Sequence, residues 1–331
     1  MSDAVVVGAG AWGTALADLV ARNGHAAVLW ARETDVVDDI NANCHNSRFL
    51  KGMPLAPALR ATTDLAQAVA DARTITFVAP SHVLRAVIRS AAHAVRDDAI
   101  LVVATKGIER ETFALMTDIV AEELPGRPVV ALSGPSFAAE VAMRQPTAVV
   151  AASRDEAAAL HTQQLFSSPE FRVYTQRDVI GVELGGALKN VMAVATGVLD
   201  GLGLGFNPRA ALITRGLAEM TRLGVALGAE PLTFAGLAGM GDLVLTCTGS
   251  LSRNRTVGVE IGQGRAVEEV LHARETVAEG VITTQSAHAL ARSRGVGMPI
   301  VSAMHRILFE GMPPRDAIAE LMARALRAES D

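Results

Sequence analysis

Lys189 stands in Gly185-Gly186-Ala187-Leu188-Lys189-Asn190-Val191-Met192-Ala193, a stretch otherwise small and apolar. An ammonium is strongly hydrated, so its place there needs a reason. On a helix, at about 100° per residue, Val182, Gly185, Gly186 and Ala193 share its face, with Glu183 and Asn190 flanking it. Glycine costs about 1 kcal/mol relative to alanine in a helix interior, and here it occurs twice. A lysine that snorkels to water explains the cation but not the glycines. Tight helix packing explains the glycines but crowds the lysine. A lysine facing a ligand across a groove floored by glycine explains both, and partial burial would bring its pKa down toward proton-transfer chemistry.

Three more segments carry reactive groups. Lys106-Gly107 follows the apolar run Ile100–Ala104, at the strand end where α/β sheets bind ligands. Ser133-Gly134-Pro135-Ser136 ends another such run and offers a turn with a hydroxyl and backbone N–H groups. Further on, Gly239, Gly241, Asp242 and Thr246 precede Ser252-Arg253-Asn254, three donors in a row that suit a phosphate. Each has a plainer reading alone: a surface lysine, turn chemistry, loop charges, or Asp242 as a helix N-cap. Their joint presence favours chemistry.

Gly8-Ala9-Gly10-Ala11-Trp12-Gly13 lies between a strand and a helix. In that context the first glycine turns the chain, the second admits a pyrophosphate and the third lets helix and strand pack closely. A ribose-binding residue is expected roughly 20 residues further on. Arg32 stands there with Glu33 beside it. Arg32 suggests NADP(H) through the 2′-phosphate, the expected preference; Glu33 keeps NAD(H) open as a ribose partner, and the plainer reading of both is solvated loop charge.

These groups need elements to hold them. Strands are expected at Ala4–Val7, Ala27–Trp30, Thr74–Val78, Ile100–Ala104, Val129–Leu132 and Ala148–Ala151. Helices are expected between them at Trp12–Arg22, Asp64–Ala70, Val83–Val95 and Phe113–Leu124. Alternation of apolar strands with helices predicts an α/β fold, a Rossmann-type doubly wound parallel sheet covered on both faces. From about residue 178 only helices are expected: Asp178–Leu199, Pro208–Leu227 with Asn207 as its N-cap, Thr283–Ser293, Pro299–Phe309 and Pro314–Leu326. The expected division is a dinucleotide-binding domain over 1–177 and an all-helical substrate domain over 178–331. No linker composition separates them, which implies a shared interface.

Composition excludes several classes. Half of the 331 residues are hydrophobic and a fifth are charged, so the chain can bury a large core. The net charge of −5 and the absence of a basic run argue against nucleic acid. Cys44 and Cys247 stand apart, form no metal-ligand pattern and suit a reducing cytoplasm. The start, MSDAVVVGAG, does not read as a signal peptide, and no uncharged apolar run reaches membrane-spanning length.

The segments GAGAWGTALA, ATKGIE, LSGPSFAAEV, ELGGALKN, NPRAALITRGLAEM, GLAGMGDLVLTCTGSLSRNR and VAEG follow in that order over nearly the whole chain. Together they closely resemble the bacterial NAD(P)-dependent glycerol-3-phosphate dehydrogenases. The resemblance implies reduction of dihydroxyacetone phosphate to sn-glycerol 3-phosphate for phospholipid synthesis, with NADP(H) or NAD(H), in a cytoplasmic homodimer. It makes Lys189 the acid/base and puts Lys106 on both substrate and cofactor. It adds Gly134, Ser136, Asp242, Ser252, Arg253 and Asn254 around the substrate. Gly8, Gly10, Trp12, Gly13, Arg32, Ala138, Arg253, Val277 and Glu279 would contact the cofactor. Many relatives carry a second basic residue after the arginine, where this chain has Glu33. Two other readings are a ketopantoate-type or β-hydroxyacid reductase, which would not need the Ser252–Asn254 donors, and a dinucleotide sensor, which would not need both lysines and Asp242.

Overall fold

A computed structural model of the chain describes residues 3–274, 278–326 and 328–329. β1 (Ala4–Val7), β2 (Ala27–Trp30), β3 (Arg60–Thr62), β4 (Thr74–Phe77), β5 (Ile100–Val103), β6 (Val129–Ser133), β7 (Thr147–Ala152) and β8 (Phe171–Gln176) form one sheet. Their order is β3-β2-β1-β4-β5-β6-β7-β8. β1 therefore lies between β2 and β4, the point where the strand order reverses and ligands bind in such sheets. Its side chains alternate between two cores: Ala4 and Val6 enter one, Val5 and Val7 the other. Both faces are covered, which is why these strands read as continuous apolar runs.

The covering helices are α1 (Ala11–Arg22), α2 (Thr34–Asn43), α3 (Leu65–Ala70), α4 (Leu84–Ala91), α5 (Met116–Glu123), α6 (Ala138–Ala142) and α7 (Glu156–Phe166). The sheet departs from the all-parallel expectation at one pair: β6 and β7 run antiparallel, with Leu132 opposite Ala151. The connection holds only the five-residue α6, too little for a crossover, so the chain returns alongside. β3 and β8 were not expected. Both are edge strands, and β8 exposes Arg172 and Tyr174 on alternate positions, which dilutes the apolar signal.

The second half contains α8 (Val179–Gly201), α9 (Phe206–Ala226), α10 (Pro231–Ala235), α11 (Asp242–Thr248), α12 (Arg253–Gly262), α13 (Val267–His272), α14 (Glu279–Ser293), α15 (Pro299–Phe309) and α16 (Pro314–Met322). α8 is the hub: Gly181 through Leu199 are buried without a break. By length and composition it is apolar enough to cross a membrane, yet 89% of its apolar window is buried inside the fold. α9 corrects the expected start. Gly205, not Asn207, is its N-cap, and Pro208 is its third residue. The first turn has no intrahelical acceptor for that N–H, so proline fits there.

α8 and α12 approach through glycines. A Cβ on Gly197 would lie 2.0 Å from the Arg255 carbonyl oxygen, and one on Gly258 would lie 2.0 Å from that of Val194. Gly258→Ala sets alanine's helix preference, about 1 kcal/mol, against a backbone clash that overpacking data put at about 1–3 kcal/mol. The clash wins, because a carbonyl of a fully buried helix has nowhere to go. Urea unfolding of that variant is expected to show a net loss of stability, and a gain would contradict the packing.

Candidate active site

The glycine loop fits a dinucleotide residue by residue. Gly8 has φ +118°, and a Cβ there would lie 2.9 Å from the Ala79 amide, so only glycine makes this turn beside β4. A Cβ on Gly10 would meet nothing within 4 Å, which leaves open space at the start of α1. A Cβ on Gly13 would lie 1.8 Å from the Gly8 carbonyl oxygen, so this glycine lets helix and strand pack. Gly10 is the N-cap and brings no side chain to the α1 amides, which face the open side and suit a pyrophosphate. Trp12 is partly buried, and its Nε1 has no hydrogen-bond partner among the described residues. Asn46 holds the loop from behind, donating to the Ala9 carbonyl at 3.0 Å and to Thr14 Oγ1 at 2.8 Å.

Two strands over from this loop, at the carboxyl end of β5, Lys106 donates to Asp242 Oδ2 at 2.8 Å. Lys189 donates to the other oxygen, Oδ1, and to Thr246 Oγ1 at 3.0 Å. Asp242 is 0% exposed and Lys189 7%. Asp242 and Thr246 lie four residues apart on α11 and so present one face to Lys189 on α8. Burial opposes the charge on Asp242, but the two ammonium groups outweigh it and hold the carboxyl below its usual range. For Lys189 burial prevails: it draws the ammonium down to about 7, with Lys106 adding to the fall and Asp242 resisting it. A buried amine near neutrality can both give and take a proton.

Carboxylates from the helical half fasten this group to the sheet half. Glu183, two turns before Lys189 on α8, accepts from the Thr117 amide at 2.9 Å and from the Thr117 hydroxyl. Its burial pushes the carboxyl up to about 7. Glu279 accepts from Ser81 Oγ at 2.6 Å and from the Ser81 amide at 3.1 Å. Gly107 lets these loops meet, since a Cβ there would lie 2.6 Å from Ser81 Cβ. Asn254 donates to Asn190 Oδ1 at 2.9 Å and accepts from the Gly280 amide at 2.9 Å, tying α8, α12 and α14 together.

The structure brings Lys106, Lys189 and Asp242 into direct contact, with Asn254 one residue removed through Asn190. Ser252 is the N-cap of α12, accepting from the Arg255 amide at 3.2 Å. Arg253 is exposed and has no hydrogen bond or ion pair among the described residues. Gly134 has φ +145°, and Ser136 donates to its carbonyl at 2.9 Å. Ala138 opens α6. Arg32 lies apart at the end of β2, and Val277 lies outside the described residues.

One expectation is corrected. The glycines are not a groove floor: a Cβ on Gly185 would lie 2.3 Å from the Ala238 carbonyl, and one on Gly186 2.6 Å from Ser133 Oγ. They are packing points, and they leave Lys189 uncrowded because its ammonium leaves the helix toward α11. Asp242 caps nothing, because Gly241 precedes it and the carboxylate turns to the lysines. Asn190 bonds to Asn254 and to the Gly186 carbonyl rather than to Lys189. No role for Ser81 or Thr117 follows from the sequence, where Glu183 stands only as a flank of Lys189. Ser81 alone carried a signal, as a hydroxyl just past the end of a buried strand.

A glycine loop fitted to a pyrophosphate at the end of β1, with a buried lysine near neutrality bonded through Asp242 to Lys106 at the end of β5, defines a nicotinamide-dinucleotide oxidoreductase. The chain belongs to the NAD-dependent glycerol-3-phosphate dehydrogenase family, whose N-terminal model matches residues 3–159 and whose C-terminal model matches 178–319. It is 56% identical over 327 residues to the glycerol-3-phosphate dehydrogenase (NAD(P)+) of Geobacter sulfurreducens, covering 98% of each chain. With the enzyme of that name from Syntrophotalea carbinolica it shares 54% over 329 residues, 98% of this chain and 99% of the other. The crystal structure of glycerol-3-phosphate dehydrogenase from Coxiella burnetii superposes with a TM-score of 0.94 at 41% identity, over 98% and 99% of the two chains.

Asp242→Asn removes the charge that both lysines share, leaving two ammonium groups facing each other. Loss of that charge is expected to push the Lys189 pKa lower still and to cut kcat by about 10²-fold or more. A pH–rate profile checks both: the limb should move to lower pH, and an unmoved limb with normal kcat contradicts the cluster.

Proposed function

We propose that the chain catalyses reversible reduction of dihydroxyacetone phosphate to sn-glycerol 3-phosphate with NAD(P)H, and that Lys189 is its proton carrier. The observation that carries this reading is the Asp242 carboxylate gripped between Lys106, at the carboxyl end of β5, and Lys189 of α8. A nicotinamide cofactor held by the glycine loop would supply or accept the hydride at C2. Lys189 Nζ, as ammonium, gives its proton to the C2 oxygen as the alcohol forms; in the reverse direction the neutral amine takes it back. Lys106 holds the same oxygen and keeps Asp242 ionised. Arg253, Asn254 and the first amides of α12, capped by Ser252, bind the phosphate and thereby fix C2 relative to Lys189. Gly134 and Ser136 border the substrate from the sheet side. Gly8, Gly10, Trp12, Gly13, Arg32, Ala138, Val277 and Glu279 belong to the cofactor side.

The division at 177/178 is supported by the gap between β8, ending at Gln176, and α8, starting at Val179. A homodimer is supported by the exposed apolar side chains Phe206, Leu232 and Met322 on the helical half. Two free cysteines, Cys44 and Cys247, support a reducing cytoplasm, where the product feeds phospholipid synthesis. A ketopantoate-type reductase would present a carboxylate to this site, and the α12 start with its free arginine suits a phosphate better.

Lys189→Ala is expected to bind NADPH and NADH as the wild type does while kcat falls by about 10²–10⁴-fold. Near-normal turnover contradicts the mechanism. Since only the ammonium donates, the wild-type reduction rate should fall as pH rises through about 7, and the oxidation rate should rise over the same interval. Parallel pH dependences in the two directions contradict the assignment.

A further inference from the structure

The end of β2 carries a charged pair, Arg32 and Glu33, close to the glycine loop. The Gly8 amide donates to the Trp30 carbonyl at 3.1 Å, so the glycine loop and the end of β2 are adjacent. Three residues beyond Trp30, Glu33 is the N-cap of α2, twenty residues after Gly13 and at the spacing of an adenosine-ribose partner. Its carboxylate is not free. Arg32 Nη2 donates to Glu33 Oε1 at 2.9 Å, with the Arg32 side chain 84% exposed and that of Glu33 20%.

Among the described residues, the next arginine along is engaged too. Arg48, over the ring of Phe49, is paired with Asp35 in the first turn of α2 at 3.4 Å. Asp39, one turn on, accepts from the Ser47 amide at 2.9 Å. Each arginine here is already matched by a carboxylate, and Asp39 adds another negative charge. A dianionic 2′-phosphate entering this corner meets Glu33 directly and finds Arg32 engaged. A ribose diol meets the same carboxylate as a hydrogen-bond acceptor for two hydroxyls, which is the arrangement that favours the unphosphorylated cofactor.

We propose that Glu33 is the specificity-determining residue of this chain, holding Arg32 away from a 2′-phosphate and setting the preference toward NADH over NADPH. The assignment deepens the reading of residues 8–13 as a dinucleotide loop and rests on it. Arg32 in this account is a latent phosphate ligand, released when the carboxylate is neutralised.

Calorimetric titration of NADH and NADPH into the purified chain, without substrate, tests this apart from catalysis. The wild type is expected to bind NADH more tightly. In Glu33→Gln the NADPH affinity should improve about tenfold relative to NADH, the scale of one like-charge contact removed from a half-exposed site. In the double variant Arg32→Gln with Glu33→Gln that gain should vanish. Tighter NADPH binding by the wild type, or an unchanged ratio in Glu33→Gln, overturns the role of Glu33. Binding of neither cofactor by the wild type overturns the dinucleotide site itself, and this assignment with it.

Discussion

Two ammonium groups placed in one buried pocket repel each other and lose hydration, so neither position is tenable without a counter-charge. Asp242 provides it, one oxygen to each lysine, and is itself fully buried. The arrangement works because the three charges do not cancel evenly. Two cations on one anion leave a net positive site, which suits an oxyanion and keeps the aspartate ionised. Burial then bears hardest on Lys189, whose stem lies inside a helix bundle, and brings its proton within reach of neutral-pH chemistry.

The partners of that cluster come from opposite halves of the chain, so its geometry depends on how the halves are fastened. Lys106 arrives from the sheet, whereas Lys189, Asp242 and Thr246 arrive from the helices. Buried Glu183 on Thr117 and half-buried Glu279 on Ser81 make the same kind of link on either side: a carboxylate of the helical half receives a hydroxyl and an amide of the sheet half. Such acceptors of two donors are worth more than neutral pairs and are costly to break when buried. They hold α8 and the start of α14 against the sheet, and so hold Lys189 opposite Lys106. The glycines of α8 serve the same end by letting neighbouring backbones close on it.

Much of this was legible in the sequence where a residue's reason is local. The turn at Gly8, the open start at Gly10 and the close packing at Gly13 follow from the strand–loop–helix context alone. The central strands are visible because both their faces are buried. The edge strands β3 and β8 are not, because one face or edge meets water. Gly185 and Gly186 were legible as unusual but misread in purpose, since their contacts, Ala238 and Ser133, lie about fifty residues away on either side. Glu183 looked like an ordinary flank of Lys189 for the same reason: its partner, Thr117, is 66 residues earlier. Site chemistry carried by residue type is readable; chemistry set by a distant contact is not.

The central claim is that burial beside Lys106 brings Lys189 down to near neutrality although Asp242 resists the fall. NMR of the ¹⁵N-lysine-labelled chain, with Lys189→Arg to assign the signal, follows its ε-nitrogen directly. Titration near pH 7 is the predicted result. A single transition at the ordinary lysine value, about 10.4, would contradict the account.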